Sequence, residues 1–90
     1  MKKSDSELCE LLSQATSVVK VGGIYSHYKK LDYKYKVLSL VILESTTEVC
    51  VIYEPQYGAK IPFVRPISNW LGEVDVDGKK VKRFTLINGV

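Results

Sequence analysis

The sequence predicts a small, mainly β fold: an SH3-like barrel or a strongly bent antiparallel sheet of five to six strands, with one N-terminal α-helix packed on it. Three observations lead there. Two β-branched apolar runs, Val37–Leu43 and Val49–Tyr53, flank the polar turn Glu44–Glu48, a hairpin pattern and not a helical one. An Asp77-Gly78 pair sits between the alternating segments Val74-Asp75-Val76 and Lys79-Lys80-Val81, the signal of a two-residue type I′ turn. No strand–helix–strand alternation calls for a parallel sheet, and tight turns at this length favour a small curled one.

The elements follow in order. Ser4–Lys20 reads as a helix. Ser4 and Glu7 have the spacing of a capping box, and Leu8, Leu11, Leu12, Ala15 and Val19 share one face. Glu7 near its start and Lys20 near its end suit the helix dipole, and Gly22-Gly23 ends it. Ile24–Lys29 alternates as a strand, Lys30-Leu31-Asp32 is a turn, and Tyr33–Leu43 is a long strand. The second half of that strand is apolar on both faces except at Ser39, so one side faces the core and the other meets the helix or a neighbouring chain. Glu48–Glu54 returns, stopped by Pro55. Ile61–Pro66 carries two prolines, which cannot donate to a ladder, so it belongs at an edge or begins at Pro62. Ile67–Leu71 makes a helical turn that places Trp70. In the last hairpin Asp75 faces Lys80 and Val74 faces Val81, opposite charges and apolar groups being favoured cross-strand pairs. Arg83, Thr85 and Ile87 then alternate with Phe84 and Leu86. Residues 1–22 are expected to form a capping helix on a β domain of residues 23–90, together one compact unit.

Composition sets the bounds. Ninety residues, 46% hydrophobic, make one domain whose core needs no disulfide or metal staple. The longest apolar run, Val37–Leu43, is far shorter than the ~20 residues of a membrane helix. Lys2 and Lys3 are followed by polar and acidic residues instead of an apolar stretch, so no secretory signal is expected and the expected compartment is the cytoplasm. Cys9 and Cys50 form no Cys-x-x-Cys and are expected to be reduced and buried. A formal charge of +3 from 13 basic and 10 acidic side chains is too weak to imply a nucleic-acid partner by itself.

Few residues carry chemistry. His27 is the single histidine, with no nucleophile or orienting carboxylate beside it in sequence. One histidine and two scattered cysteines fall short of the four ligands of a closed zinc site, and no phosphate-cradling loop is present; no metal or cofactor is expected. Glu44 and Glu48 read as a solvated turn. Arg65, in a proline-flanked strand, should pair with Glu48, Glu54 or Glu73, or hold an anionic ligand. Tyr25, Tyr53, Tyr57 and Trp70 are placed to cluster, with a groove expected between the Tyr57–Lys60 loop and the Ser68–Trp70 turn. The candidate ligand site is Tyr25, His27, Tyr53, Tyr57 and Arg65. The reading is a non-catalytic binding module for a protein, a peptide or a small ligand, with homodimerisation open. Lysines interleaved with tyrosines offer an alternative, single-stranded nucleic-acid binding through Lys29, Lys30, Tyr33, Lys34 and Lys36. A small enzyme using His27 is the second alternative.

Several short segments resemble a small bacterial family, domain of unknown function 1653. They are Gly23-Ile24-Tyr25-Ser26-His27-Tyr28-Lys29, Tyr35-Lys36-Val37-Leu38, the turn Glu44–Glu48, Val51-Ile52-Tyr53, Tyr57-Gly58, Phe63-Val64-Arg65-Pro66, Asp77-Gly78-Lys79 and Arg83-Phe84. The resemblance spans residues 23 to 87. It departs from the family where Lys30 replaces glycine and Phe63 replaces tryptophan. It implies an SH3-like β fold and no assigned activity.

Overall fold

A computed structural model describes residues 3–88. Helix α1 (Asp5–Thr16) begins as expected: Ser4 Oγ accepts from the Glu7 backbone N–H at 3.2 Å, and Glu7 Oε1 accepts from the Ser4 N–H at 2.9 Å. It ends earlier than its apolar pattern suggested. Thr16, Ser17 and Val18 are weak helix formers, and Val19, beyond the helix, is drawn fully into the core. Lys20 therefore lies outside the last turn and does not serve the dipole.

Seven strands follow among the described residues: β1 (Ile24–His27), β2 (Lys30–Leu43), β3 (Glu48–Pro55), β4 (Phe63–Pro66), β5 (Glu73–Val76), β6 (Lys79–Lys82) and β7 (Phe84–Asn88), with the short helix α2 (Ile67–Trp70) between β4 and β5. Five form one antiparallel sheet in the order β4-β3-β2-β1-β7, and β5 and β6 pair alone. The outer strands of the five do not meet, so the fold is the bent sheet and not the closed barrel. The β2–β3 hairpin matches expectation, as does the edge position of β4 after Pro62. Asp77 and Gly78 both have positive φ, 52° and 80°, and set Asp75 opposite Lys80 and Val74 opposite Val81.

Two turns differ from the sequence reading. The reversal expected at Lys30-Leu31-Asp32 lies at Tyr28-Lys29, so His27 already pairs with Lys30 across a register shift. The closing run is split at Arg83, whose N–H donates to Gly72 O at 3.0 Å and whose carbonyl accepts from Tyr28 N–H at 3.1 Å. Those bonds redirect the chain from the small hairpin into β7, which pairs with β1.

Residues opposite each other in register share a face. The inner face carries Tyr25, Tyr35, Val37, Val51, Tyr53 and Phe84; the outer carries Val41, Leu43, Cys50, Ile52 and Val64. On the inner face Val19, Tyr25, Val37, Val51, Tyr53, Trp70 and Phe84 form the core. Trp70 stacks on Phe84, centroids 3.8 Å apart and planes within 6°, and Tyr25 meets the indole edge-on at 5.2 Å. Cys50 is buried, its thiol pushed up in pKa by desolvation and then by Glu48. Cys9 is exposed, against expectation, because it falls on the solvent side of α1; both cysteines are free thiols.

Candidate functional site

Beside the sealed core the inner face opens into a cavity of about 420 Å³. Its lining comes from five strands and two connecting segments. Tyr53 of β3 and Phe84 of β7 are shared with the core, Tyr35 of β2 stands next to them, and Phe63 and Arg65 come from β4. Tyr57, in the loop after β3, and Tyr33, on β2, close one side with rings tilted by 39° at 4.3 Å. His27 ends β1, Lys29 follows in the turn and Lys30 opens β2. Among the described residues no carboxylate lines the cavity.

Arg65 is its fixed point. The guanidinium Nε–H donates to the Tyr53 hydroxyl at 2.9 Å and Nη1–H to Asn69 Oδ1 at 2.7 Å. Its Cζ lies 5.1 Å from the Phe84 centroid and 5.8 Å from that of Tyr53. Both hydrogen-bond partners are neutral. The expected pairing with Glu48, Glu54 or Glu73 does not occur: Arg65 shares the inner face with Val51, whereas Glu48 and Glu54 alternate to the outer face of β3. A guanidinium has five donors; those not bonded to Tyr53 and Asn69 have no protein acceptor among the described residues. This is a cation oriented by neutral groups, with donors left over and aromatic faces around it.

His27 accepts the Lys29 backbone N–H at Nδ1, 3.2 Å, which fixes the neutral ring's proton at Nε2. Desolvation first, then the positive charges of Arg65, Arg83 and Lys29, lower its pKa. The ring packs edge-on against Phe84 at 5.0 Å. The Tyr35 and Tyr57 hydroxyls share a hydrogen bond of 2.9 Å. The Tyr35 phenol is pushed up to about 12, by burial first and then by that bond. At neutral pH the cavity therefore offers hydroxyl donors, a neutral imidazole, and cations from Arg65, Lys29 and Lys30.

Of the five candidate ligand residues the structure brings together four: His27, Tyr53, Tyr57 and Arg65. Tyr25 is not among them. It is buried behind Trp70, its hydroxyl accepting the Lys20 N–H at 2.9 Å. The groove between the Tyr57 loop and Trp70 is not formed either, because Trp70 is only 2% exposed and serves as core, while Tyr57 is 40% exposed. Of the lysine–tyrosine stretch, Lys29, Lys30 and Tyr33 reach the cavity, with Lys30 Nζ 4.8 Å from the Tyr33 centroid. Lys34 and Lys36 alternate to the outer face. Sequence reading missed Tyr35, Phe63, Phe84 and Asn69. Tyr35 was within reach, two residues before Val37 on the core face. Phe84 depended on the long-range β1–β7 pairing, which no local pattern signals.

Fold and cavity define a class: a small antiparallel β domain whose open inner face holds an aromatic pocket around an arginine. The model of the family described as protein of unknown function (DUF1653) matches residues 23–86, and the chain belongs to that family. A crystal structure of a protein of the same family from Bordetella bronchiseptica is similar, with a TM-score of 0.65 at 30% identity over 77% of this chain and 88% of that one. No curated protein matches.

Proposed function

We propose that the chain is a bacterial cytoplasmic binding module whose pocket holds a small organic anion with a flat apolar part, free or as the end of a larger partner. In this reading residues 23–90 carry the site and the N-terminal segment caps them. One observation carries the proposal: among the described residues Arg65 is held by Tyr53 and Asn69 and not by a carboxylate, and it borders an aromatic cavity that no acidic side chain of those residues lines. A half-buried guanidinium with spare donors gains from a carboxylate or phosphate oxygen, and the rings of Tyr53 and Phe84 beside it favour a planar group. His27 adds an N–H donor, and Lys29 and Lys30 add charge at the mouth. The volume falls in the range of small-molecule sites. An extended nucleic-acid strand has less support, because the lysines that would track it divide between two faces.

The test is a titration followed by NMR with four probes: benzoate, phenyl phosphate, benzamide and acetate. The two aromatic anions should saturate and shift the signals of His27, Tyr35 and Phe84. Benzamide lacks the charge and acetate the ring, and both should bind at least about tenfold more weakly, each missing interaction costing 1.4 kcal/mol or more. Equal weak response to all four would remove the reading.

A further inference from the structure

The pocket is basic at both ends. Four tyrosines form a row along it. Ring centroids are 5.8 Å apart from Tyr53 to Tyr35, 5.8 Å from Tyr35 to Tyr57, and 4.3 Å from Tyr57 to Tyr33. A cation stands at each end of the row: Arg65 Cζ is 5.8 Å from the Tyr53 centroid, and Lys30 Nζ is 4.8 Å from that of Tyr33. The strand register keeps these ends apart. Arg65 lies opposite Val51, which lies opposite Leu40 of β2, whereas Lys30 is the first residue of that strand. Lys29 adds a second charge at the Lys30 end. Asp32 borders the adjoining hollow with both lysines and does not line the cavity, so two cations face one anion there and the balance stays positive.

The polar groups of the lining are one-sided as well. Its side-chain nitrogens that remain free all donate: the spare N–H groups of Arg65, Nε2–H of His27, and the ammonium groups of Lys29 and Lys30. Its side-chain oxygens, among the described residues, are tyrosine hydroxyls alone. That of Tyr53 already accepts from Arg65, and those of Tyr35 and Tyr57 are bonded to each other. A ligand ammonium would meet these cations and find no carboxylate to pair with, at the cost of an uncompensated charge. A single anionic group would satisfy one end of the row and leave the other without a counter-charge.

We propose that the pocket's ligand is a planar dianion with no cationic group, its two anionic groups at opposite ends of an aromatic or conjugated body. The body lies along the tyrosine row, one anionic group meets Arg65, and the other meets Lys29 and Lys30. This narrows the ligand class of the binding reading given above and rests on it. Zwitterions such as free amino acids are thereby disfavoured, and so are acids with a single charge.

Calorimetric titration of the full chain at neutral pH tests it, with monoacid and diacid compared at two lengths: benzoate with terephthalate, and para-linked biphenyl monocarboxylate with the dicarboxylate. At the length that bridges the row, the second carboxylate should tighten binding by at least about threefold, the scale of one exposed ion pair. Para-(aminomethyl)benzoate has an ammonium in place of one terephthalate carboxylate and should bind at least about threefold more weakly than benzoate. Lys29→Gln with Lys30→Gln should bring the diacid down to the affinity of its monoacid, whereas Arg65→Gln should weaken both. Added salt should shrink the diacid's advantage, since the lysines are exposed. Failure of both monoacids to saturate would remove the pocket reading and this inference with it. Saturation by the monoacids with no gain from a second carboxylate at either length would overturn the inference alone. So would a gain that survives both lysine substitutions, or an aminomethyl acid that binds as tightly as the diacid.

Discussion

The inner face carries two aromatic clusters side by side, and only one is closed. Tyr25, Trp70 and Phe84 are packed out of solvent, with α2 laying the indole flat on the Phe84 ring. Tyr33, Tyr35 and Tyr57 stand a few ångströms away, ring against ring at 4.3 to 5.8 Å, yet line a cavity. Residue type does not separate them. Cover does, and so does charge: a four-residue helix closes the first cluster, while the second is bordered by Arg65, whose spare donors cannot be buried without an acceptor. Tyr53 and Phe84 belong to both, so the pocket rests on a floor that the core holds rigid.

The largest effect expected from breaking this division is at Trp70. Trp70→Ala removes the lid of the closed cluster and should cost about 3–5 kcal/mol of stability, the usual range for a large aromatic deleted from a core. Urea unfolding measures it, and a loss under about 1 kcal/mol would mean the two clusters are equally loose. Tyr57→Ala is the counterpart on the open side. It should weaken benzoate binding at least about tenfold by calorimetry while moving stability by no more than about 1 kcal/mol. A large stability loss there would make the open cluster a second core.

A change remote from both clusters calibrates these two. Gly78→Ala forces a side chain into φ +80° at the β5–β6 turn, which should lower stability by about 1 kcal/mol and leave benzoate affinity unchanged.

The pH dependence is smaller and its sign is determined. The folded His27 pKa lies below the unfolded value of about 6.5. As pH falls through 6.5 the unfolded chain takes up a proton before the folded one, so stability declines. The decline ends once pH passes the folded value. His27→Gln should remove this part of the pH profile in denaturant titrations from neutral to mildly acidic pH; an unaltered profile would mean that burial and the neighbouring cations do not act on the ring. Tyr57→Phe should lower the Tyr35 phenol from about 12 without returning it to normal, since burial outweighs the hydrogen bond. Ultraviolet titration of the tyrosines reads this directly.

Much of the fold was legible because it is local. The Ser4–Glu7 cap, the β2–β3 hairpin and the Asp77-Gly78 turn each sit within a few residues of their own signals. The failures were non-local. Helix α1 stops early because Val19 is wanted in the core. The last run breaks at Arg83 because its N–H is bonded to Gly72 and its carbonyl to Tyr28, both distant in sequence. Of the candidate site, the residue types of His27, Tyr53, Tyr57 and Arg65 stand out in the sequence as a lone histidine, aromatics near turns and a strand arginine, and these four line one cavity. Tyr25 was misplaced because, once Trp70 seals it, it is indistinguishable in sequence from its neighbours. Arg65 was given the wrong partners because a carboxylate near in sequence is not one on the same face of the sheet.

The most direct measurement is the affinity of phenyl phosphate for the wild type and for Arg65→Gln, with an unfolding curve taken on each. Loss of the guanidinium should weaken binding by at least about tenfold, the scale of one charge-assisted hydrogen bond, while the variant still unfolds cooperatively. Equal affinity in the two proteins, or no saturable binding by the wild type, would contradict the assignment of Arg65 as the anion contact of the open cluster.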